Sequence, residues 1–161
     1  MKPICCLLFL AAFAGSVTAG TLTFQNSTLA TAPGGTVTFV ATYTNTSGAT
    51  ENLNSASLSL ATPLTFDDSD FFNTWPLSLD TGLSFGPSDL FTATVPLGTA
   101  GGPYVGTFNL LGGPGANDLN VLGSAQFTVN VVPEPGTWAL AALGLGVAML
   151  RLRKGKPSLR N

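Results

Sequence analysis

The amino-acid sequence predicts an all-β body, folded as a single antiparallel β-sandwich between two apolar terminal segments. Apolar and hydroxyl side chains alternate with a period of two along most of residues 21–132, as in strands with one buried and one wet face. Clusters of Gly, Pro and Asn separate these runs, and none of the runs has the period of a helix. The 161 residues leave room for one domain once the terminal segments are set aside.

Six alternating runs are expected to form the main strands. In the clearest of them, Val37, Phe39 and Tyr43 alternate with threonines. The full set of runs is 21–25, 36–44, 55–60, 91–95, 104–110 and 124–131. Six or seven short strands in about 110 residues, with no helix between them, are typical of an immunoglobulin-like sandwich.

Two stretches resemble parts of the immunoglobulin-like accessory modules of bacterial surface proteins. Residues 34–48 resemble the second strand of such modules, and residues 102–108 resemble a late strand with Tyr104 at its start. Tyr104 is therefore a candidate for a tyrosine corner. The Cys–Trp–Cys core of antibody domains is absent from the sequence, and a jelly roll or another sandwich remains an alternative.

Charged residues are segregated along the chain. No Lys, Arg or His occurs between Gly20 and Leu150, whereas all eight acidic residues lie between Glu51 and Glu134. A body without cations cannot neutralise phosphates, so nucleic acid is not an expected partner. Because side-chain salt bridges are also impossible there, stability must come from apolar burial and backbone hydrogen bonds.

The first 19 residues have the three-part layout of a secretory signal peptide. Lys2 supplies the positive end, residues 4–14 are apolar, and Val17-Thr18-Ala19 places small side chains before Gly20. We expect cleavage between Ala19 and Gly20. A membrane anchor is the alternative, but the apolar run is shorter than the ~20 residues needed to span a bilayer. Both cysteines of the chain lie in this segment, so the cleaved protein is expected to have no thiol.

The C-terminal segment combines a proline motif, an apolar stretch and a basic end. Pro133-Glu134-Pro135 is expected to be rigid, extended and incompatible with helix, and residues 138–150 have no polar side chain. As a helix, residues 138–150 would be about 20 Å long, short of the ~30 Å hydrocarbon core. Snorkelling basic side chains would meet the shortfall. We predict a single C-terminal transmembrane helix with its basic end cytoplasmic.

In order and spacing, these features resemble the PEP-CTERM sorting domain of Gram-negative bacteria. The resemblance covers about 30 residues and implies that a membrane-embedded cysteine protease of the exosortase type recognises and processes the tail. By position, it assigns residues 133–135 to the recognition motif and Arg151, Arg153 and Lys154 to the stop signal. An ordinary tail anchor with a chance Pro-Glu-Pro is the alternative.

The expected organisation is a signal peptide at 1–19, a β-sandwich at 20–132, a sorting and anchor segment at 133–155 and a basic cytoplasmic tail at 156–161. The protein is expected to cross the inner membrane, to be anchored there by its C-terminus, and to reach the cell surface or the medium after processing. Proteins of the resembled family typically accompany exopolysaccharide production. The resemblance therefore implies a role in the envelope, matrix or biofilm, with extracellular polysaccharide as a candidate partner.

The body offers little for catalysis, and we expect neither an enzyme nor a cofactor. No His, Cys or Lys is available there to activate a nucleophile. The richest acidic cluster, Asp67-Asp68-Ser69-Asp70, is expected to be a solvated loop in a linking region. A weak calcium site formed by Asp67, Asp68 and Asp70 is the alternative, although an EF-hand spacing is missing. A small envelope hydrolase that uses two carboxylates is the least favoured alternative.

Three aromatic residues follow this cluster: Phe71, Phe72 and Trp75. Flat rings suit the faces of sugars, but the same rings could cover one end of the sandwich core, which we favour. The exposure of the three rings distinguishes these roles. The body is therefore predicted to be a non-enzymatic structural or adhesive module, with a carbohydrate-binding module as the alternative.

Overall fold

The computed structural model describes residues 19–133 and 135–154. The predicted leader up to residue 18, Glu134 and residues 155–161 lie outside the described residues. The elements are β1 (Gly20–Phe24), β2 (Thr28–Thr31), β3 (Thr36–Asn45), β4 (Glu51–Leu60), β5 (Thr65–Asp67), α1 (Ser69–Thr74), β6 (Ser78–Leu79), β7 (Ser84–Thr94), β8 (Gly102–Gly113), β9 (Asn120–Val131) and α2 (Pro135–Lys154).

The strands form two sheets, which confirms a mostly β body with the two-sheet organisation of a sandwich. One sheet has the order β1-β3-β7-β5 and the other has the order β2-β9-β8-β4-β6. Neighbouring strands are antiparallel except β2, which pairs in parallel with β9 from Thr28 to Thr31. This pair departs from the predicted purely antiparallel fold. It arises because the chain leaves β1, crosses to the other sheet within residues 25–27 and joins the open edge at β9.

The core lies between the sheets and is dominated by phenylalanine rings from both. Phe39 and Phe91 are register partners in the first sheet, with ring centroids 4.9 Å apart. Phe91 also stacks on Phe108 of the second sheet at 5.3 Å, and Phe127 lies 4.9 Å from Phe91. All four side chains are buried. They occupy the inward positions that the period-two alternation predicted.

The outward faces carry uncharged hydroxyl and amide groups that bond across strands. On the first sheet, the hydroxyls of Thr38 and Thr92 are 3.0 Å apart, and those of Thr44 and Ser84 are 2.7 Å apart. On the second sheet, the Ser124 hydroxyl donates to the Asn109 amide oxygen at 2.7 Å. Cross-strand pairs of this kind stabilise a sheet while keeping its outer face wet.

Short elements account for the differences from the predicted strand count. Within residues 19–133 there are nine strands rather than six or seven, because β2, β5 and β6 are only two to four residues long. The prediction of no helix in the body was also wrong, since Ser69–Thr74 forms α1. Phe71 in this helix and Trp75, the residue that caps its C-terminus, lie four positions apart on one side and are both buried in the core.

Tyr104 has the tyrosine-corner geometry that its position predicted. It lies near the start of β8, and its hydroxyl donates to the Ala100 carbonyl at 3.0 Å. The bond ties the connection before β8 to the strand itself.

Candidate functional site

The predicted sorting segment begins immediately after the last strand of the body. β9 ends at Val131, which is buried, and α2 begins at Pro135. Between them, the Val132 N–H donates to the Thr31 carbonyl at 2.9 Å. Because Thr31 belongs to β2, the sheet holds the chain one residue beyond the end of β9.

The first proline of the motif also contacts the body. Pro133 packs against Gly101, where an added Cβ would lie 2.9 Å from the Pro133 ring. Glu134, the central residue of the predicted motif, lies outside the described residues. Pro135 opens α2 rather than continuing an extended segment, so the prediction that the motif is helix-incompatible fails there. The first turn of a helix tolerates proline because the missing N–H has no partner at that position.

α2 is longer than the helix that the apolar stretch predicted. It covers the 20 residues Pro135–Lys154 instead of residues 138–150, and Arg151, Arg153 and Lys154 occupy its last turn. Within residues 19–133 and 135–154, no helix combines the length and the apolar character needed to span a bilayer. The predicted transmembrane helix therefore stays a prediction.

The predicted acidic cluster lies at the start of α1. The Asp67 carboxylate accepts a hydrogen bond from the Ser69 N–H at 2.9 Å, which lowers the pKa of Asp67 below its ordinary value. Asp68 is the N-cap residue, and its side chain makes no cap bond. In the described part of the chain, no three acidic, His or Cys side chains gather as a metal site would require. The structure thus gives Asp67 a local role at the helix start and does not bring Asp67, Asp68 and Asp70 together around an ion.

The three aromatic residues divide between the core and the surface. Phe71 and Trp75 are 3% and 6% exposed, whereas Phe72 is 57% exposed. The Trp75 indole N–H donates to the Asp89 carbonyl on β7 at 2.8 Å. This bond satisfies a backbone acceptor on β7 outside the Thr92–Thr94 segment that pairs with β5. The preference for a core role is confirmed for Phe71 and Trp75 but not for Phe72.

A groove of about 290 Å³ lies between α1 and β4, with the exposed Phe72 ring in its wall. Two polar residues, Asn52 and Asn54, also line it. Each amide nitrogen donates to two backbone carbonyls at 2.9 to 3.2 Å, Asn52 to the last residue of β8 and the first of the β8–β9 loop, and Asn54 to two residues of that loop. Because these bonds use the nitrogens, the amide oxygens are the groups left to accept hydrogen bonds from a ligand.

Sequence reasoning missed both asparagines of the groove. They lie in β4, where the period-two pattern gives Asn52 the ordinary role of a wet strand residue. Asn54 lies two positions further along β4 and so shares the face of Asn52, and both half-buried side chains line the groove. No sequence signal separates them from other polar strand residues, because Phe71 and Phe72 of α1 complete the groove from another part of the chain.

Comparisons with known proteins identify one segment of the chain. Residues 131–154 match the model of the PEP-CTERM protein-sorting motif. No curated protein sequence matches the chain.

Two solved structures are weakly similar to this chain in backbone structure. The secreted serine protease VesC from Vibrio cholerae aligns over 70% of this chain at 14% identity and a TM-score of 0.42. This chain spans only 23% of that protease. WR4, an MSP family member of C. elegans, aligns over 69% of this chain and 97% of its own length at 10% identity and a TM-score of 0.40.

The match begins at the last residue of β9 and ends at the last residue of α2. It therefore contains the proline motif, the apolar helix and the basic turn that the sequence placed in this order. Residues 131–154 are a PEP-CTERM protein-sorting motif, which the chain carries directly behind its β-sandwich body.

Proposed function

We propose that this chain is an exported surface or matrix protein, sorted by an exosortase, whose β-body has a structural or adhesive role without catalysis. The sorting motif is the observation that carries the proposal, because it implies an exported protein processed by a membrane protease. An anchored stage is supported by α2, where Leu140, Leu143 and Met149 expose 75%, 72% and 64% of their side chains. Lipid would cover this apolar surface. The predicted signal peptide and membrane span belong to the same proposal.

The strand order supports an immunoglobulin-like assignment of the body. The series β1-β3-β7-β5 corresponds to strands A, B, E and D of an immunoglobulin domain, and β9-β8-β4 corresponds to G, F and C. The Tyr104 corner lies at the start of β8, the counterpart of strand F. Domains of this kind serve as spacers and contact modules because both sheets present broad outer faces.

The chemistry of those faces supports contact with a neutral, hydroxyl-rich matrix. Hydroxyl pairs such as Thr38–Thr92 and Thr44–Ser84 cover the first sheet, and cationic side chains are absent between residues 20 and 150. Hydroxyl groups donate and accept hydrogen bonds without charge. An exopolysaccharide or biofilm matrix is the partner class that this surface suits best.

Sorting is tested by replacing residues 133–135 with three alanines. Intact-mass measurement of protein from membrane and medium, with and without the host processing enzyme, should show loss of processing in the variant. Pro114→Ala, at an exposed proline of the β8–β9 loop, is the control and should be processed normally. Unchanged mature mass in the alanine variant would exclude the motif as the recognition element.

The structural role is tested in cells. Cells that lack the protein should adhere less and build less matrix, and the wild-type chain should restore both properties. The unprocessed alanine variant should not restore them. Full restoration by that variant would separate the body's role from sorting.

A carbohydrate-binding role is the second candidate, and the groove beside α1 favours it. Phe72 offers one exposed ring, and the Asn52 and Asn54 oxygens offer acceptors for sugar hydroxyls. Binding to neutral polysaccharides should weaken at least tenfold in Phe72→Ala and stay unchanged in Leu97→Ala. Leu97 is 85% exposed and does not line the groove, so it is a matched surface control. Equal binding by both variants would remove the groove from consideration.

A further inference from the structure

Glu51 has a buried carboxylate oxygen without a hydrogen-bond partner among the residues that the structure describes. It opens β4 and faces inward, its side chain is 4% exposed, and Oε2 accepts no hydrogen bond. The other acidic side chains of residues 19–133 are exposed or half-buried. A buried carboxylate is costly unless a cation or several donors lie beside it. The fold therefore leaves a strong hydrogen-bond acceptor at the end of the core where β4 begins.

Two other residues meet at the same end. The Tyr43 hydroxyl is buried and also has no hydrogen-bond partner within residues 19–133 and 135–154. Gly20, the first residue of β1, is buried against it, since an added Cβ would overlap the Tyr43 hydroxyl. Burial and, to a lesser degree, the negative charge of Glu51 raise the pKa of Tyr43 to about 12.

The strand pairing places Gly20 and Glu51 at this end independently of the tyrosine. Gly20 is the register partner of Asn45, and Glu51 is the register partner of Leu79. The Asn45 amide donates to the Leu79 carbonyl at 2.8 Å and so links the two pairs. The start of β1 and the start of β4 therefore flank one buried amide.

No side chain of the body can supply a cation, because Lys, Arg and His are absent from residue 20 to residue 150. The predicted leader cleavage after Ala19 would create one at Gly20, in the form of an α-ammonium group. Within the part of the chain that the structure describes, cleavage of the Ala19–Gly20 peptide bond removes only one backbone hydrogen-bond acceptor from the folded body. The Ala19 carbonyl accepts from the Thr46 N–H at 3.0 Å, and Thr46 is exposed, so water can replace that acceptor.

We propose that cleavage after Ala19 completes the core, because the new Gly20 α-ammonium binds the Glu51 carboxylate and donates to the Tyr43 hydroxyl. The leader then has a second role besides export, since its removal generates a cation that no side chain of residues 20–150 can supply. The inference rests on the cleavage position in the proposed function, and the intact mass of the exported chain reports that position separately.

The test measures how the α-amine of the exported chain titrates once the leader has been removed. The rate of reductive methylation at Gly20 is followed by mass spectrometry between pH 6 and 11. An unpaired α-amine has a pKa of about 7.7–8.0. Pairing should raise this pKa and slow methylation at pH 8 at least tenfold relative to Glu51→Gln. Asp80→Asn, at an exposed carboxylate, is the control and should leave the rate unchanged.

A second variant protects the test against misfolding of Glu51→Gln. One alanine inserted between Ala19 and Gly20 shifts the ammonium group one residue away from Gly20 and leaves the core residues unchanged. Methylation of the α-amine at pH 8 should then be fast. An α-amine that methylates at its ordinary rate in the wild-type chain overturns the proposal. A slow rate that survives both Glu51→Gln and the insertion overturns it too. An intact mass that places the N-terminus elsewhere removes its premise.

Discussion

The ring of Trp75 could stabilise the core or bind a sugar, and the Trp75→Phe substitution distinguishes these two roles. The indole is 6% exposed, and its centroid lies 5.8 Å from that of Phe71 and 5.3 Å from that of Phe85. Phenylalanine keeps a ring there but removes the N–H that bonds the Asp89 carbonyl at 2.8 Å. An unsatisfied carbonyl costs about 1–2 kcal/mol, and the smaller ring leaves a void that costs about 1 kcal/mol more. We expect the free energy of unfolding to fall by about 2–3 kcal/mol.

The assay is urea unfolding of the exported full chain, followed by circular dichroism. The midpoint should fall at an unchanged slope, because the compactness of the unfolded state is not altered. Phe72→Ala is the matched control, and its exposed ring should change the unfolding free energy by less than about 0.5 kcal/mol. A loss below about 1 kcal/mol for Trp75→Phe, or weaker polysaccharide binding at full stability, would refute the core role of this ring.

Three further predictions concern the body. Tyr104→Phe removes the corner hydrogen bond and should destabilise the fold by about 0.5–1.5 kcal/mol in the same assay. In the uncleaved chain, where Gly20 has no ammonium group, burial and the charge of Glu51 raise the pKa of Tyr43 from 10.0 to about 12 on folding, so the stability that the neutral hydroxyl contributes is complete below pH 10 and disappears as the pH approaches 12. Urea midpoints across that range should reveal a loss on the order of 2 kcal/mol that Tyr43→Phe lacks. Gly106→Ala should cost about 1–3 kcal/mol in thermal unfolding, because its Cβ would lie 2.7 Å from the Ser59 carbonyl and overlap the Phe127 ring.

The long strands could be predicted from the sequence, whereas the short ones could not. In β3, Phe39 and Tyr43 alternate with threonines over enough residues to fix both the strand and its inward face. β6 has only two residues, Ser78 and Leu79, so no period is present to detect. Its pairing with β4 depends on the amide of Asn45, which donates to the Leu79 carbonyl from another part of the chain.

α1 was missed for a related reason. Six residues are too few to show a helical period, and the acidic cluster before them is typical of a turn. The helix forms because the Asp67 carboxylate receives the Ser69 N–H and because Phe71 and Trp75 reach the core on one face. Tertiary burial decides such short helices more than local propensity does.

The sorting motif was the most predictable feature, because its recognition depends on local order along the chain rather than on folding. The groove and the buried Glu51 depend on register and on distant partners. Glu51 looks in the sequence like an ordinary polar residue after a turn. Only the fold shows that β4 begins with this carboxylate facing inward, at the same end of the core as Gly20.

The junction between β9 and α2 limits the positions at which the chain can be cleaved without disrupting the sandwich. Val131 is buried and paired with Thr31, and the Val132 N–H is bonded to the same residue. A protease needs an extended, accessible peptide, so a cut before Val132 would require the edge of the sheet to open. Pro133 still packs on Gly101, and the first peptide beyond that contact lies in the proline motif itself. A cut at or after the motif therefore releases a complete sandwich whose last strand ends almost at the cleavage point.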